Sequence, residues 1–471
     1  MSAVQKVAYE PGSFKDPYGS VFYFNNRVYR TLTDDAYAIF RDLSDRGVLE
    51  TFISRGFLMD SRLKPVSDVV GLPASVSPSG FVIEQDKIPV LTYPYEWCFS
   101  QLKDAALKTL DFLECCLEND LMLKDATAFN LSLYNGDLRF FDVLSIEPYK
   151  ENQPWMAYRQ FCQQFLFPLL LASYKGMDTQ FLMRGYFQDL SASHVKHYFS
   201  GFDIFKPGVL KHVTLLSMME KSYESKEIKV KDAMKQTHFP KVLIENNVKN
   251  LRKTIAGLSY FVPKSEWSDY ITECNYEDKD RDTKHNFIEA FLDSEKPKTV
   301  IDLGCNTGEY SYLASKSADV VVSADSDALS IERLYERVKT DGTQNIIPMV
   351  TNLLNPTPAL GWALGERKSF FERFNGIDGF FALALVHHIC ISGNVPVTKC
   401  VEMLANLGKS GVVEWVDKKD EQVQKLLRNR EDVFGDYTWE NFEDALKQNF
   451  KILKVEETHG GNRKLCHVSA L

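Results

Sequence analysis

The hydrophobic pattern of this chain changes period about halfway along. In the first half, Val21-Phe22-Tyr23-Phe24 and Arg27-Val28-Tyr29-Arg30 flank Asn25-Asn26. Two β-rich runs separated by two turn-forming residues predict a hairpin. A helix is expected around Asp34 to Leu43, and further short strands before Tyr93-Pro94-Tyr95-Glu96-Trp97. From Ser100 to Leu117 the apolar positions Leu102, Ala106, Leu107, Leu110 and Leu113 form one helical stripe. A strand after Asn130, an Asn135-Gly136 turn and a strand at Leu138 to Asp142 follow. Pro154 to about Met219 reads as helical and rich in aromatics, and Val242 to Leu258 as another helix.

The second half alternates short β-branched runs with helical patterns. The runs are Thr299–Leu303, Val320–Asp325, Asn345–Asn352, Gly376–Ile389 and Gly411–Val416. Helices are expected at Gln422–Leu427 and Asn441–Phe450, then a hairpin of Ile452–Glu456 and Lys464–Val468 around Gly460-Gly461-Asn462. Alternation of this kind predicts a parallel α/β sheet. The fold class is therefore α/β: a C-terminal Rossmann-like sheet ending in an antiparallel hairpin, preceded by an α+β module. The charged, weakly periodic stretch from Lys221 to Lys241 supplies a linker, dividing the chain into 1–240 and 241–471.

Composition narrows the function classes. A length of 471 residues fits two or three domains, and 44% hydrophobic content is enough for sizeable cores. A net charge of −9 argues against general nucleic-acid binding. The nine cysteines are scattered with no Cys-x-x-Cys pair, which fits a reducing cytoplasm and no structural zinc. The longest apolar run, Phe165–Ala172, is too short to span a bilayer and contains Pro168. Met1-Ser2-Ala3-Val4-Gln5-Lys6 lacks the apolar core of a signal peptide. The oligomeric state is not legible.

Candidate chemistry concentrates at Asp302-Leu303-Gly304-Cys305-Asn306-Thr307-Gly308-Glu309. Strand, small-residue turn and helix build a nucleotide site at the switch point of an open sheet. Asn306 and Glu309 stand where a dinucleotide fingerprint needs glycines, and Glu309 follows Gly308 where a phosphate loop needs lysine. An acid at a helix start repels pyrophosphate. Asp302 and Glu309 suit a nucleoside carrying a cationic amino-acid tail. The stretch resembles motif I of class I S-adenosylmethionine-dependent methyltransferases, with Asn306 where that family has glycine.

The resemblance covers about 265–471 and implies the cofactor S-adenosyl-L-methionine. It implies that Asp302, Gly304, Cys305, Asn306 and Gly308 cradle that cofactor. By the same resemblance Asp325, with Asp327 as competitor, takes the ribose hydroxyls, and Asn352 meets the adenine. Aromatic residues before the first strand (Trp267, Tyr270 and above all Tyr276) are expected to cover the adenosine or the sulfonium. His387-His388, at the end of the fourth run, resembles the His-containing turn of small-molecule members, and His388 is favoured over His387 as base. Amino-methylating DNA enzymes carry Asn/Asp-Pro-Pro-aromatic at that point, and this chain does not. The expected acceptor is a small or carbohydrate-like molecule. Taken whole, the chain also looks like bacterial proteins related to nodulation methyltransferases.

In the first half, Asp125, Asn130 five residues on, and Asp142 after a hairpin resemble the catalytic core of protein kinases and sugar phosphotransferases. Leu123 and Val143-Leu144 depart from that pattern, and neither a glycine-rich loop nor a strand lysine is evident. Three readings stand: a methyltransferase, a non-catalytic cofactor-binding scaffold, and a bifunctional protein whose first half is a phosphotransferase.

Overall fold

The computed structural model describes residues 7–187, 190–224, 239–261, 278–428 and 431–471. Trp267, Tyr270 and Tyr276 lie outside the described residues. The chain forms two compact units. One is Met1–Val262 with Gly361–Arg367, the other Pro263–Leu360 with Lys368–Leu471. The division thus falls after 262 rather than after 240. The helix Lys241–Ala256 belongs to the first unit, where Arg252 pairs with Asp111 and Glu114 of the helix Phe99–Glu118. No described helix is long and apolar enough to cross a membrane.

The first unit opens with a five-stranded antiparallel sheet. Its strands are β1 (Ala8–Tyr9), β2 (Val21–Phe24), β3 (Arg27–Thr31), β4 (Ser61–Pro65) and β5 (Phe81–Gln85), ordered β1-β2-β3-β5-β4. The predicted hairpin joins β2 to β3. Asn25 and Asn26 both take positive φ (48° and 58°), the geometry of a two-residue turn whose twist matches its strands. Alternate residues Phe22, Phe24 and Tyr29 pack with Val66, Val69 and Val82. The helix Phe99–Glu118 buries the expected stripe, with Leu107 half-buried at its edge. Short strands β6 (Leu121–Leu123), β7 (Leu131–Tyr134), β8 (Asp137–Phe140) and β9 (Ile146–Pro148) follow, β7 and β8 being closed by the Asn135-Gly136 turn.

The second unit is a seven-stranded sheet of β10 (Thr299–Leu303), β11 (Val320–Asp325), β12 (Ile346–Val350), β13 (Ile377–Ala382), β14 (Gly408–Val416), β15 (Phe450–Thr458) and β16 (Arg463–Ala470). Its order is β12-β11-β10-β13-β14-β16-β15; β10 to β14 are parallel, and β16 runs antiparallel to both β14 and β15. The near-continuous burial of β10, β11 and β13 reflects a parallel sheet covered on both faces. The parallel sheet ending in an antiparallel hairpin is the Rossmann-like architecture expected from the sequence. Strand order reverses at β10, whose neighbours are β11 on one side and β13 on the other. The crevice beyond the carboxyl ends of these three strands is where such a sheet binds ligands.

Candidate active site

The motif turn sits at that crevice. β10 ends at Leu303, Gly304 is exposed with φ +71°, Asn306 has φ +50°, and Gly308 (φ +83°) begins the helix Glu309–Ser315. Asn306 takes the left-handed conformation that replacement of glycine there requires. Its side-chain Oδ1 accepts from the Thr307 N–H at 2.7 Å, which fixes the turn from within. A Cβ at Gly308 would lie 2.5 Å from Leu334 Cδ1, so any other residue there would have to displace that side chain. A Cβ at Gly304 would lie 3.3 Å from Leu385 Cδ1. Leu385 therefore lies beside Gly304, and the loop after β13 that holds it also carries the histidines.

Asp325, the last residue of β11, ties into the same turn. Its Oδ2 accepts from the Asn306 N–H and its Oδ1 from the Asp327 N–H, both at 2.8 Å. Burial pushes its carboxyl above the usual carboxylate range, and these backbone donors pull the other way. A carboxylate has about four acceptor positions, so two backbone bonds leave capacity for a diol. Asp327 is used differently. It caps the helix Ala328–Asp341 by accepting from Leu329 N–H (3.1 Å) and the Ser330 hydroxyl (2.9 Å). Next to Asp325, Thr351 donates its N–H to the Asp325 carbonyl at 2.7 Å, and its buried hydroxyl has no hydrogen-bond partner among the described residues. Asn352 is exposed just past β12, its Oδ1 accepting from Leu354 N–H at 2.9 Å.

Asp302 is placed differently from the expectation. It is 1% exposed and accepts a 2.7 Å hydrogen bond from the Ser311 hydroxyl, bracing strand to helix. Burial raises its pKa to about 7. Cys305 is likewise buried, at 7% exposure. Glu309 is half-buried and bound by Arg281 (2.6 Å) and His285 (2.7 Å) from the helix Asp278–Glu295. Burial pushes its pKa up, but those two partners outweigh it and leave the carboxyl below its ordinary value. The two acids expected to face a cationic tail are therefore one braced and one paired.

His387 and His388 do not lie in a strand. β13 ends at Ala382, the chain turns at Ala384 with φ +47°, and His388 opens a helical segment to Ser392. The two rings lie 4.1 Å apart between centroids. His387 is fully buried, and neither ring nitrogen has a hydrogen-bond partner among the described residues. Burial, then the charges of His388, Arg463 and Lys284, hold it neutral. His388 is only partly covered, and burial lowers its pKa to about 4.

A buried ionic network supports this loop, and the sequence reading missed it. Glu414 of β14 accepts from the Ala384 N–H at 2.8 Å and from Lys284 at 2.6 Å, with Arg463 at 3.5 Å. Arg463 also binds Asp420 at 2.7 and 3.2 Å. All four side chains are nearly inaccessible. Burial pushes Glu414 up, yet Lys284 and Arg463 more than compensate and leave it below the usual carboxylate range. The available signal was a lone acid inside the apolar run Gly411-Val412-Val413-Glu414-Trp415-Val416; charges in buried strands are rare unless paired.

In the first unit Asp125 and Asn130 lie together. Asn130 Nδ2 lies 3.3 Å from Asp125 Oδ2 and 2.9 Å from Ser145 Oγ. Burial and the nearby Asp142 charge raise the pKa of Asp125. Asp142, however, is bonded by Arg30 of β3, which also engages Asp16. Among the described residues no cluster of three or more His, Cys, Asp or Glu side chains could hold a metal ion.

No family model matches the chain. Among solved structures, that of WbdD, described as a bifunctional kinase-methyltransferase, covers 43% of this chain and 41% of its own at 16% identity and a TM-score of 0.32. A S-adenosylmethionine-dependent methyltransferase from Aquifex aeolicus covers 39% and 89% at 18% identity (TM-score 0.26), and the N-methyltransferase NodS from Bradyrhizobium japonicum WM9 covers 41% and 98% at 11% (TM-score 0.30). Sequence comparison reaches much further along the chain. Nodulation protein NoeA of Rhizobium meliloti (strain 1021) is 33% identical over 457 residues, 96% of this chain and 94% of that one. The match runs through both units, and on it the chain belongs to the family of that protein, NoeA.

Proposed function

We propose that this chain is a S-adenosylmethionine-dependent methyltransferase acting on a small or carbohydrate-like acceptor, with a role in nodulation like that of its relative. The observation that carries the reading is the 2.8 Å bond from the Asn306 N–H to Asp325. It ties the turn after β10 to the acid that ends β11, which supports a site where a ribose diol could meet that acid beside the open turn. Gly304 leaves the backbone open, Asp325 accepts from the hydroxyls, and Asn352 lies at the adenine side. The cofactor supplies an electrophilic methyl group on a sulfonium. The protein's own contribution is largely positional, since the acceptor must lie in line with that methyl. At a pKa of about 4 His388 is neutral near pH 7. It can accept a hydrogen bond from the acceptor's O–H or N–H and orient it, and it is a weaker proton acceptor than an unperturbed histidine.

Isothermal titration with S-adenosylhomocysteine tests the reading. Binding is expected, and Asp325→Ala should weaken it about 10- to 100-fold, the scale of one or two charged hydrogen bonds. A folded protein that binds nothing sinks the proposal. Incubation with methyl-labelled cofactor and cell extract separates enzyme from scaffold: a protein that binds cofactor and never yields labelled product is a scaffold. The phosphotransferase reading of the first unit is weakened by Arg30, whose guanidinium takes the place beside Asp142 that a cation would need. Magnesium-dependent ATP binding lost in Asp142→Ala would restore it.

A further inference from the structure

The first unit carries a feature unrelated to cofactor binding. Gly201–Phe205 is a short 3₁₀ helix, and residues three apart in such a helix eclipse one another. Phe202 and Phe205 therefore project in one direction, and they are 90% and 78% exposed. Tyr198 and Leu210, on either side in the chain, are exposed as well. The knuckle is held firmly. Asp203 pairs with Lys175 at 2.6 Å and Lys206 at 3.0 Å, the Tyr174 hydroxyl donates to the Pro207 carbonyl at 3.2 Å, and Lys206 lies 4.9 Å over the Tyr174 ring. Phe199, just before it, is buried. Two large rings are thus presented to solvent on a fixed support, not left there by a loose loop.

The local charge is opposite to that of the whole chain. From Ser191 to Met219 there are Lys196, Lys206 and Lys211, with His194, His197 and the buried His212, against one acid, Asp203, in a chain of net charge −9. That acid is itself engaged by two lysines. We propose that this knuckle anchors the chain to the surface of an anionic lipid bilayer, with Phe202 and Phe205 entering the interface and the lysines facing the headgroups. Rings that stand almost wholly clear of their surroundings would need a deep preformed pocket on a protein partner, whereas a bilayer interface yields around them. Aromatic side chains favour that interface, and basic residues beside them add attraction to anionic lipid. Two rings and a few positive charges give reversible surface binding.

The test is co-sedimentation of the full chain with vesicles of phosphatidylcholine alone, or mixed with phosphatidylglycerol. The mixed vesicles are expected to bind the chain about tenfold or more better than the neutral ones, and added salt should weaken that binding. Phe202→Ser/Phe205→Ser should lower partitioning at least about tenfold, since both rings lose their burial in the interface. Because both side chains are exposed, the variant should keep the parent's circular dichroism and melting temperature. Lys196→Ala/Lys211→Ala should reduce binding to the mixed vesicles alone. No sedimentation with mixed vesicles overturns the proposal, as does equal binding by the double phenylalanine variant. Self-association that this variant abolishes, with vesicle binding absent, would assign the rings to a second copy of the chain instead.

Discussion

Replacing Glu414 with glutamine should destabilise the second unit sharply. The substitution keeps the side chain's shape and removes its charge. Lys284, 2.6 Å away and 5% exposed, and Arg463, 4% exposed, then lose a buried anion. Arg463 retains Asp420 at 2.7 Å, so Lys284 bears most of the loss. Breaking a buried pair costs about 3–5 kcal/mol, because an uncompensated charge remains in the interior. The Ala384 N–H also loses a charged acceptor, although the amide oxygen of glutamine can replace part of that bond. For a unit of about 200 residues, a loss of that size lowers the melting temperature on the order of 10 °C. The assay is scanning calorimetry with and without S-adenosylhomocysteine; the transition that the ligand moves reports the second unit. The folded pKa of Glu414 is depressed, so its contribution is complete above the ordinary carboxylate value and is lost as pH falls below it. The gap between parent and variant should therefore shrink in acid. Lys284→Met/Glu414→Met should recover much of the lost stability, since no lone charge remains. A shift under about 2 °C in the single variant, or a double variant worse than both singles together, would refute the reasoning.

Other expectations follow from the same geometry. Gly308→Ala should cost about 1–3 kcal/mol and impair cofactor binding, since it combines a positive φ with a Cβ 2.5 Å from Leu334; urea denaturation measures the loss. Asp302, raised to about 7, binds a proton in the native state that the unfolded chain has released. Stability should then fall as pH rises between about 4 and 7, and Asp302→Asn should flatten that slope in melts run across the range. If His388 orients or deprotonates the acceptor, His388→Asn should lower turnover about 10²–10⁴-fold with S-adenosylhomocysteine affinity little changed. The acid limb of its pH–rate profile should lie near pH 4 rather than 6.5, because protonation of the ring removes the acceptor.

The strands and the motif turn were legible because local rules set them. β-Branched runs bounded by Gly304–Gly308 or by Asn25-Asn26 specify strand ends within a few residues. Asp325 was legible for the same reason, standing at a strand's end. Asp302 has the same chemistry but the opposite environment, and no period tells a carboxylate braced between strand and helix from one at a crevice; only its bond to Ser311 does. The apolar run Gly376–Ile389 does not say whether the strand continues through the histidines or turns before them; it stops at Ala382, and the chain turns at Ala384 with positive φ. Lys284, Glu414, Asp420 and Arg463 come from segments far apart in sequence, so their meeting is a property of the sheet order and not of any local pattern.

Gly361–Arg367 lies between two stretches of the second unit in sequence but folds with the first, where Glu366 pairs with Lys15 at 2.6 Å and accepts from the Trp362 N–H. This has a consequence for how the protein is made. Domains usually mature in the order they leave the ribosome. Here the earlier unit waits for a piece synthesised about a hundred residues after its own last long stretch. Lys15 remains without Glu366 until β10, β11 and β12 have already emerged. A nascent chain stalled before Gly361 should therefore hold an unfinished first unit, and a gene cut after Val262 should yield a fragment that gains protease resistance when a peptide of the 361–367 sequence is added.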